Sequence, residues 1–152
     1  MNILQIDHVG IRVVDAQRAV TFYRCLGFEV ILEVDFDAVT IMKNAHGVEI
    51  NLITNGVGPS EGKNILIDVP EKHPGYTHVA LRVESILQTI AELQRYDIAI
   101  TQGPVTFGDN DISVFIRDPD RNVIEFRGHD QDLSKIPGLT RYQPEPGKAG
   151  RQ

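Results

Sequence analysis

Hydrophobic and polar positions along the chain follow two rhythms, first a period of two and then a helical period. Residues 4–13 alternate and are rich in β-branched side chains, which predicts a strand. Asp15 is a suitable N-cap and Gly27 a suitable C′ glycine, so a helix is predicted over 15–26. Its apolar face is formed by Ala19, Phe22, Tyr23 and Leu26. Further strands are predicted at about 28–35, 38–43 and 47–54, which gives a β-α-β-β-β unit.

The same order of rhythms occurs a second time. A strand is predicted over 76–83, and Ser85 followed by Gln88 forms a capping-box pattern that opens a helix over 85–96. Strands are then predicted near 97–102, 111–117 and 122–128. The second half of the chain therefore predicts another β-α-β-β-β unit.

Short segments repeat as well as rhythms. His8-Val9-Gly10-Ile11-Arg12-Val13 returns as His78-Val79-Ala80-Leu81-Arg82-Val83, an offset of 70 (78 − 8). Ile50-Asn51-Leu52 has its counterpart in Ile124-Glu125-Phe126, an offset of 74 (124 − 50). Each half is marginal as an independent unit, so we expect the two halves to share one core. The predicted organisation is one domain over 1–128, with module 1 at 1–54, a linker rich in proline and glycine at 55–75 and module 2 at 76–128. An irregular tail at 129–152 is expected to be mobile or to lie across a neighbouring subunit.

Composition narrows the classes of partner. The chain has 152 residues and a net charge of −6, which argues against binding to nucleic acid or to anionic membranes. Its one cysteine, Cys25, suits a reducing compartment. It has no apolar run of transmembrane length, and the segment 1–5 lacks the features of a signal peptide. We therefore expect a cytoplasmic protein.

The repeated positions carry residue types that bind metals. His8 and His78 are equivalent in the repeat, and Glu125 is the equivalent of Asn51. Two neutral imidazoles and one carboxylate suit iron (Fe), manganese (Mn), nickel (Ni) or zinc (Zn), and they leave coordination positions open for a substrate. Alternatively, the histidines are ordinary surface or core residues and Glu125 is an edge-strand charge. The repeat favours the metal site.

The chain resembles the vicinal oxygen chelate superfamily, which includes glyoxalase I, extradiol dioxygenases, fosfomycin-resistance enzymes and bleomycin-binding proteins. The resemblance covers roughly residues 4–128. It rests on the repeated His-Val-x-h-Arg-Val strands, on Phe22-Tyr23-x-x-Leu26-Gly27-Phe28, and on Asp118-Pro119-Asp120-x-Asn122-x-Ile124-Glu125. It implies an α+β fold in which paired β-α-β-β-β modules form an eight-stranded cup around one metal.

The resemblance also implies roles for single residues. The metal ligands fall on His8, His78 and Glu125, and Glu125 also falls at the catalytic position. The fourth family position, a carboxylate in glyoxalase I, falls on Asn51, whose amide cannot serve as a proton-transfer base. Glu49 lies two residues earlier on the same face of its strand and is the alternative fourth ligand.

Further polar side chains are candidates for substrate contacts. Arg12 and Arg82 each lie four residues after a candidate histidine and therefore share its face of the strand. They either bind an anionic substrate, since arginine matches carboxylates bidentately, or pair with acids such as Glu33 and Glu49. In fosfomycin-resistance relatives a serine and a tyrosine from the seventh strand reach the substrate. Ser113 matches the serine, whereas Phe115 lacks the tyrosine hydroxyl.

These features predict a divalent-metal-dependent enzyme that chelates adjacent oxygens of a small anionic substrate. Asn51 favours dioxygenase-type chemistry over a glyoxalase-type lyase or isomerase. The alternatives are a metal-free antibiotic- or ligand-binding resistance protein and a thiol transferase of the fosfomycin type, which Phe115 disfavours. A homodimer is expected, because open sheet edges invite a partner and isologous pairs are the commonest assembly.

Overall fold

The computed structural model describes residues 1–58, 62–108, 110–130 and 132–143. The fold is α+β, and both predicted β-α-β-β-β modules are confirmed. Two compact units are present. Unit 1 comprises Met1–Val79 with Arg117–Val123, and unit 2 comprises Ala80–Ile116 with Ile124–Gln152. No helix within the described ranges has the length and apolar character needed to cross a membrane.

The first module forms a four-stranded mixed sheet. Its elements are β1 (Val9–Arg12), α1 (Ala16–Cys25), β2 (Phe28–Val34), β3 (Val39–Asn44) and β4 (Glu49–Ile53). The strand order is β1-β4-β3-β2. Strand β1 runs parallel to β4, and the other pairs are antiparallel.

Helix α1 supplies part of the core of unit 1. It begins where the Asp15 carboxylate accepts a hydrogen bond from the Arg18 backbone N–H, and it ends before Gly27, whose φ of +86° a side chain would strain. Tyr23 of α1 is buried and makes an edge contact with Phe28 at 6.3 Å between ring centroids. The sheet contributes buried Ile11, Met42, Ile50 and Leu52. Burial of these apolar side chains is the main force that holds unit 1 together.

The other face of this sheet carries the candidate site residues of the first module. The register pairs Gly10 with Asn51 and Arg12 with Ile53. Buried Ile50 and Leu52 alternate with Asn51 along β4, so Asn51 lies on the face opposite to theirs. Glu49 and Arg12 share the face of Asn51, as the sequence predicts.

The second module forms a five-stranded mixed sheet. Its elements are β5 (Val79–Val83), α2 (Ile86–Arg95), β6 (Ile100–Thr106), β7 (Asp111–Arg117), β8 (Val123–His129) and β9 (Thr140–Arg141). The strand order is β5-β8-β7-β6-β9. Ser85 caps α2 by accepting a hydrogen bond from the Gln88 backbone N–H, as the capping-box pattern predicts.

The C-terminal segment is more regular than the sequence indicates. Strand β8 extends to His129, and β9 pairs in parallel with β6 of the same chain. Ile136, in the segment that connects β8 to β9, is buried. The described part of the predicted tail, 129–130 and 132–143, therefore contains a short strand, while residue 131 and residues 144–152 lie outside the described residues.

Strand β1 is shorter than the predicted strand over 4–13. It starts at Val9, and its pairing with β4 covers only Val9–Arg12 against Ile50–Ile53. Strand β4 begins at Glu49, directly after the turn at 44–48, so it offers no pairing partner further back. Ile3, Leu4 and Ile6 consequently remain 79%, 87% and 80% exposed.

Candidate functional site

The two candidate histidines lie in equivalent positions, each one residue before a strand at the edge of its sheet. His8 Nδ1 donates a hydrogen bond to the Asp7 carboxylate at 2.9 Å. His78 Nδ1 is hydrogen-bonded to the Thr77 hydroxyl at 2.9 Å. Both side chains are exposed. Metal-binding histidines are commonly oriented by such a bond at one ring nitrogen, which assigns coordination to the other, here Nε2.

Asn51 carries an unusual oxygen. Its Oδ1 atom is buried and has no hydrogen-bond partner among the described residues. A buried acceptor without a partner costs about 1–3 kcal/mol, so such an atom calls for a ligand, an ion or a water molecule. Glu49 lies on the same face, but its carboxylate forms an ion pair with Lys43 Nζ at 2.8 Å. This ion pair competes with any role of Glu49 as a metal ligand.

Glu125 lies in the middle of β8 and is only 6% exposed. The Ser113 hydroxyl donates a hydrogen bond to Glu125 Oε1 at 2.5 Å, and Arg127 Nη1 lies 3.9 Å from the same oxygen. Ser113 is fully buried. The structure thus places Ser113 against the candidate metal ligand, whereas the sequence predicts contact with the substrate.

Arg82 is engaged by an acid. Its two terminal nitrogens donate to the two carboxylate oxygens of Asp111, both at 3.0 Å. Arg127 Nε donates to Asp111 Oδ2 at 3.1 Å. The hydrogen bond from Arg82, followed by that from Arg127, holds the pKa of Asp111 below its usual range. Of the two roles predicted for Arg82, the structure shows pairing with an acid, and that acid is neither Glu33 nor Glu49.

Arg12 and Phe115 are the remaining candidates for contact with the substrate. Arg12 is exposed, and its backbone carbonyl accepts a hydrogen bond from Asn122 Nδ2 at 3.3 Å. Phe115 is half-buried on β7, where its backbone carbonyl accepts from the Thr101 hydroxyl at 3.1 Å. The substrate contacts expected of Arg12 and Phe115 stay predictions.

Asp111 and Arg127 are polar site residues that the sequence analysis does not identify. Each lies two positions from a candidate, Asp111 before Ser113 and Arg127 after Glu125. Since alternate residues of a strand share a face, that spacing is the signal that could have found them. Together with Arg82, Ser113 and Glu125 they form a continuous polar network on the second sheet.

The turn between β7 and β8 belongs to unit 1 and is anchored there. The Asp118 carboxylate accepts hydrogen bonds from the Tyr23 hydroxyl at 3.0 Å and from the Asn122 backbone N–H at 2.7 Å. Arg18 pairs with Asp120 at 2.6 Å. Burial raises the pKa of Asp118 and, together with the Asp118 charge, that of Tyr23. Glu125 is the third residue of the strand that follows this turn, so a fixed turn also fixes the start of that strand.

The donors suit a divalent metal in their chemistry. They are two imidazoles oriented through Nδ1, a buried carboxylate and a buried amide oxygen for which the described ranges offer no hydrogen-bond partner. His8, His78 and Asn51 belong to unit 1, and Glu125 belongs to unit 2. Over the residues that the structure describes, no group of three or more His, Cys, Asp or Glu side chains is gathered as a metal site. The shared metal site therefore stays a prediction.

Known proteins share this architecture. A glyoxalase/dioxygenase from Nostoc punctiforme is 20% identical, with a TM-score of 0.67, and the match covers 84% of this chain and 92% of that one. A virulence protein from Salmonella typhimurium is 26% identical, with a TM-score of 0.60 and coverage of 86% and 100%. A lactoylglutathione lyase from Agrobacterium tumefaciens is 20% identical, with a TM-score of 0.58 and coverage of 82% and 92%.

The family model described as Glyoxalase/Bleomycin resistance protein/Dioxygenase superfamily matches residues 5–126, a span that contains most of both modules and all the predicted metal ligands. Divalent metals are common in that group. With the paired modules and their order of elements, this match shows that the chain belongs to the glyoxalase/bleomycin resistance protein/dioxygenase superfamily.

Proposed function

We propose that this protein is a divalent-metal-dependent enzyme that binds adjacent oxygens of a small anionic substrate. His8, His78 and Glu125 would hold the ion, with Asn51 as a neutral fourth oxygen. The observation that carries the proposal is the pair of buried oxygen atoms at repeat-equivalent positions. They are the Glu125 carboxylate and Asn51 Oδ1, which has no hydrogen-bond partner within the described part of the chain. A buried acceptor without a hydrogen-bond partner lowers the stability of the folded state unless a ligand supplies the missing contact.

Different side chains orient the metal ligands and bind the charge of the substrate. Ser113 fixes the orientation of the Glu125 carboxylate, and Asp7 and Thr77 orient the two imidazoles. Arg12 offers a guanidinium group to the negative charge of the substrate. When bound, the ion supplies Lewis acidity and a template for two oxygens.

Within this class we favour dioxygenase chemistry over a glyoxalase-type lyase or isomerase. A lyase of that type needs a base beside the metal, and Asn51 has no basic group. Glu49, the alternative base, is held by Lys43. The likeness to a lactoylglutathione lyase at 20% identity is a likeness of fold.

A paired substrate screen separates the reactions. Protein purified without chelators is assayed for metal content and then tested on catechols and on methylglyoxal–thiol adducts, each with and without air. We expect catechol turnover that requires Fe(II) and stops without oxygen. Turnover of the thiol adduct with Ni, Zn or Mn, unaffected by oxygen removal and lost in Glu49→Gln, would instead establish the lyase. Absence of metal and of both activities, with binding of a planar ligand to the metal-free protein, would establish the binding-protein alternative.

We also propose that the protein acts as a cytoplasmic homodimer. Strands β1 and β5 are edges of their sheets, and Ile3, Leu4 and Ile6 next to β1 are exposed. Unpaired edges and contiguous apolar side chains favour association. Light scattering should therefore give twice the chain mass, and Ile3→Ser combined with Ile6→Ser should shift the protein toward monomer. A monomer at every accessible concentration would refute the dimer.

A further inference from the structure

Two exposed aromatic rings lie side by side in unit 2. The centroids of Phe107 and Tyr142 are 5.0 Å apart, with an angle of 36° between the ring planes. Phe107 is 43% exposed and Tyr142 is 37% exposed. Neither ring is buried in the core, so both offer exposed aromatic surface to a ligand.

The backbone holds this pair in place. Strand β9 is in register with β6, with Val105 opposite Thr140 and Thr106 opposite Arg141. The Tyr142 backbone N–H then donates to the Thr106 carbonyl at 2.8 Å. Phe107 follows Thr106 directly, so the sheet fixes the backbone next to both rings. Rigid aromatic side chains supply contact area at little conformational cost.

Arginine side chains surround the rings. The guanidinium carbon of Arg127 lies 5.8 Å from the Phe107 centroid. Arg141 Nη2 lies 3.4 Å from the point that a Cβ on Gly108 would occupy, so Arg141 borders the residue next to Phe107. Aromatic faces beside planar guanidinium groups suit a ligand that is flat and negatively charged.

This surface continues into the polar network that contains Glu125. Arg127 contacts Phe107 on one side and lies 3.9 Å from Glu125 Oε1 on the other. Asp111 fixes the arginine by accepting from Arg127 Nε. A ligand lying on the rings would therefore extend toward the candidate metal ligand.

We propose that Phe107, Tyr142, Arg127 and Arg141 form a shelf for the ring and carboxylate of a planar aromatic acid. The ring stacks on Phe107 and Tyr142, and the carboxylate is drawn to the arginines. The shelf deepens the proposed function, because it rests on that function for the chemistry at Glu125 and names a class of substrate for it.

The test uses 4-fluorobenzoate, titrated into the full-length protein in chelator-treated buffer and followed by fluorine NMR. Benzoates carry the charge and the flat ring but lack two adjacent hydroxyls, so binding reports the shelf and not chelation. We expect Phe107→Leu and Tyr142→Leu each to weaken binding roughly three- to tenfold, the range that aromatic contacts contribute. Tyr142→Phe keeps the ring and should bind as the unmodified protein does.

A matched control exists in the same unit. Tyr96 is 39% exposed, and the guanidinium carbon of Arg95 lies 4.0 Å from its ring centroid. It therefore forms an aromatic–arginine pair like that of the shelf, but neither residue belongs to the shelf. Tyr96→Leu should leave the affinity unchanged. Cyclohexanecarboxylate, which has the charge without the flat ring, should displace 4-fluorobenzoate at least threefold less well than benzoate does.

Two outcomes would overturn the shelf. One is unchanged affinity in both leucine variants with folding confirmed by circular dichroism. The other is conversion of a dimer to a monomer by these variants without any loss of benzoate binding, which would assign the rings to a second copy of the chain. Metal uptake is measured separately, on portions of the same preparations that were purified without chelators and titrated with Mn(II) or Zn(II). If the protein binds benzoate but takes up no metal, the proposed enzyme is refuted and the shelf is not. If it takes up metal but does not bind benzoate, only the shelf is refuted.

Discussion

Replacing Glu125 with alanine is expected to lower the affinity for divalent metal by roughly 100-fold or more. Even partners of metal ligands typically change metal affinity 10–100-fold, and Glu125 is proposed as a ligand itself. Ser113→Ala should give a smaller loss, roughly tenfold, because Glu125 keeps its carboxylate but loses the hydrogen bond at 2.5 Å that orients it. Isothermal titration with Mn(II) or Zn(II) measures both effects without any assay of activity.

Three further variants make this result specific. Glu125→Gln retains the size of the side chain and an oxygen for the Ser113 hydroxyl, so it separates loss of the charge from loss of packing. Glu92→Gln removes a 58% exposed carboxylate on α2 and should leave metal binding unchanged. Ser113→Thr, which restores a hydroxyl, should recover part of the lost affinity. A Glu125→Ala protein that is folded and binds metal as tightly as the unmodified chain would remove Glu125 from the site.

Replacing Asp118 with alanine is expected to lower the free energy of unfolding by about 3 kcal/mol or more. The carboxylate accepts four hydrogen bonds, from the Tyr23 hydroxyl, the backbone N–H groups of Asp120 and Asn122, and Asn122 Nδ2. Tyr23 is only 1% exposed, so its hydroxyl would be left buried without this acceptor. For a chain of this length the melting temperature should fall by roughly 6–12 °C, measured by calorimetry or circular dichroism.

The controls for Asp118 use a smaller change and a distant one. Tyr23→Phe removes one of the four bonds and should cost about 1 kcal/mol. Asp37→Ala, at an exposed position, should stay within about 0.5 kcal/mol. The Tyr23 and Asp118 substitutions should not be additive, because they share a contact. Additive effects would show that the bond between them is not formed.

Asp118 also predicts a sign for the pH dependence. Burial raises its folded pKa above the ordinary value of 3.8, so the native state holds the proton to higher pH than the unfolded state does. The contribution of this group therefore makes stability fall as pH rises from about 3.8 through the folded pKa. In Asp118→Asn that contribution disappears, and the difference between the two stability profiles isolates it from the other carboxylates. A difference of the opposite sign would contradict the raised pKa.

Local chemistry accounts for the elements that the sequence predicts well. Asp15 and Ser85 cap the two helices as expected, because a cap bond reaches only three residues along the chain. The strand over 111–117 is found at the predicted bounds. Strand β1 is predicted too long, because alternation signals an extended segment but does not supply the neighbouring strand that must pair with it.

The candidate site divides in the same way. The repeat by itself selects His8, His78, Asn51 and Glu125 as equivalent polar positions. The partner of Arg82 could not be read in this way, since Asp111 lies 29 residues away and becomes its neighbour only when β5, β8 and β7 are side by side. The contact between Ser113 and Glu125 could not be read either, because the distance between them is set by the pairing of strands.

The sequence by itself determined the paired modules, their helices and the residue types at the repeated positions, because periodicity and capping act over a few residues. Tertiary structure alone decided which charges are already paired. It also decided that no described residue donates a hydrogen bond to Asn51 Oδ1 and that β9 brings Tyr142 beside Phe107. These outcomes depend on strand register and burial, which join residues far apart in the chain and are set by the packing of the whole unit rather than by any local pattern.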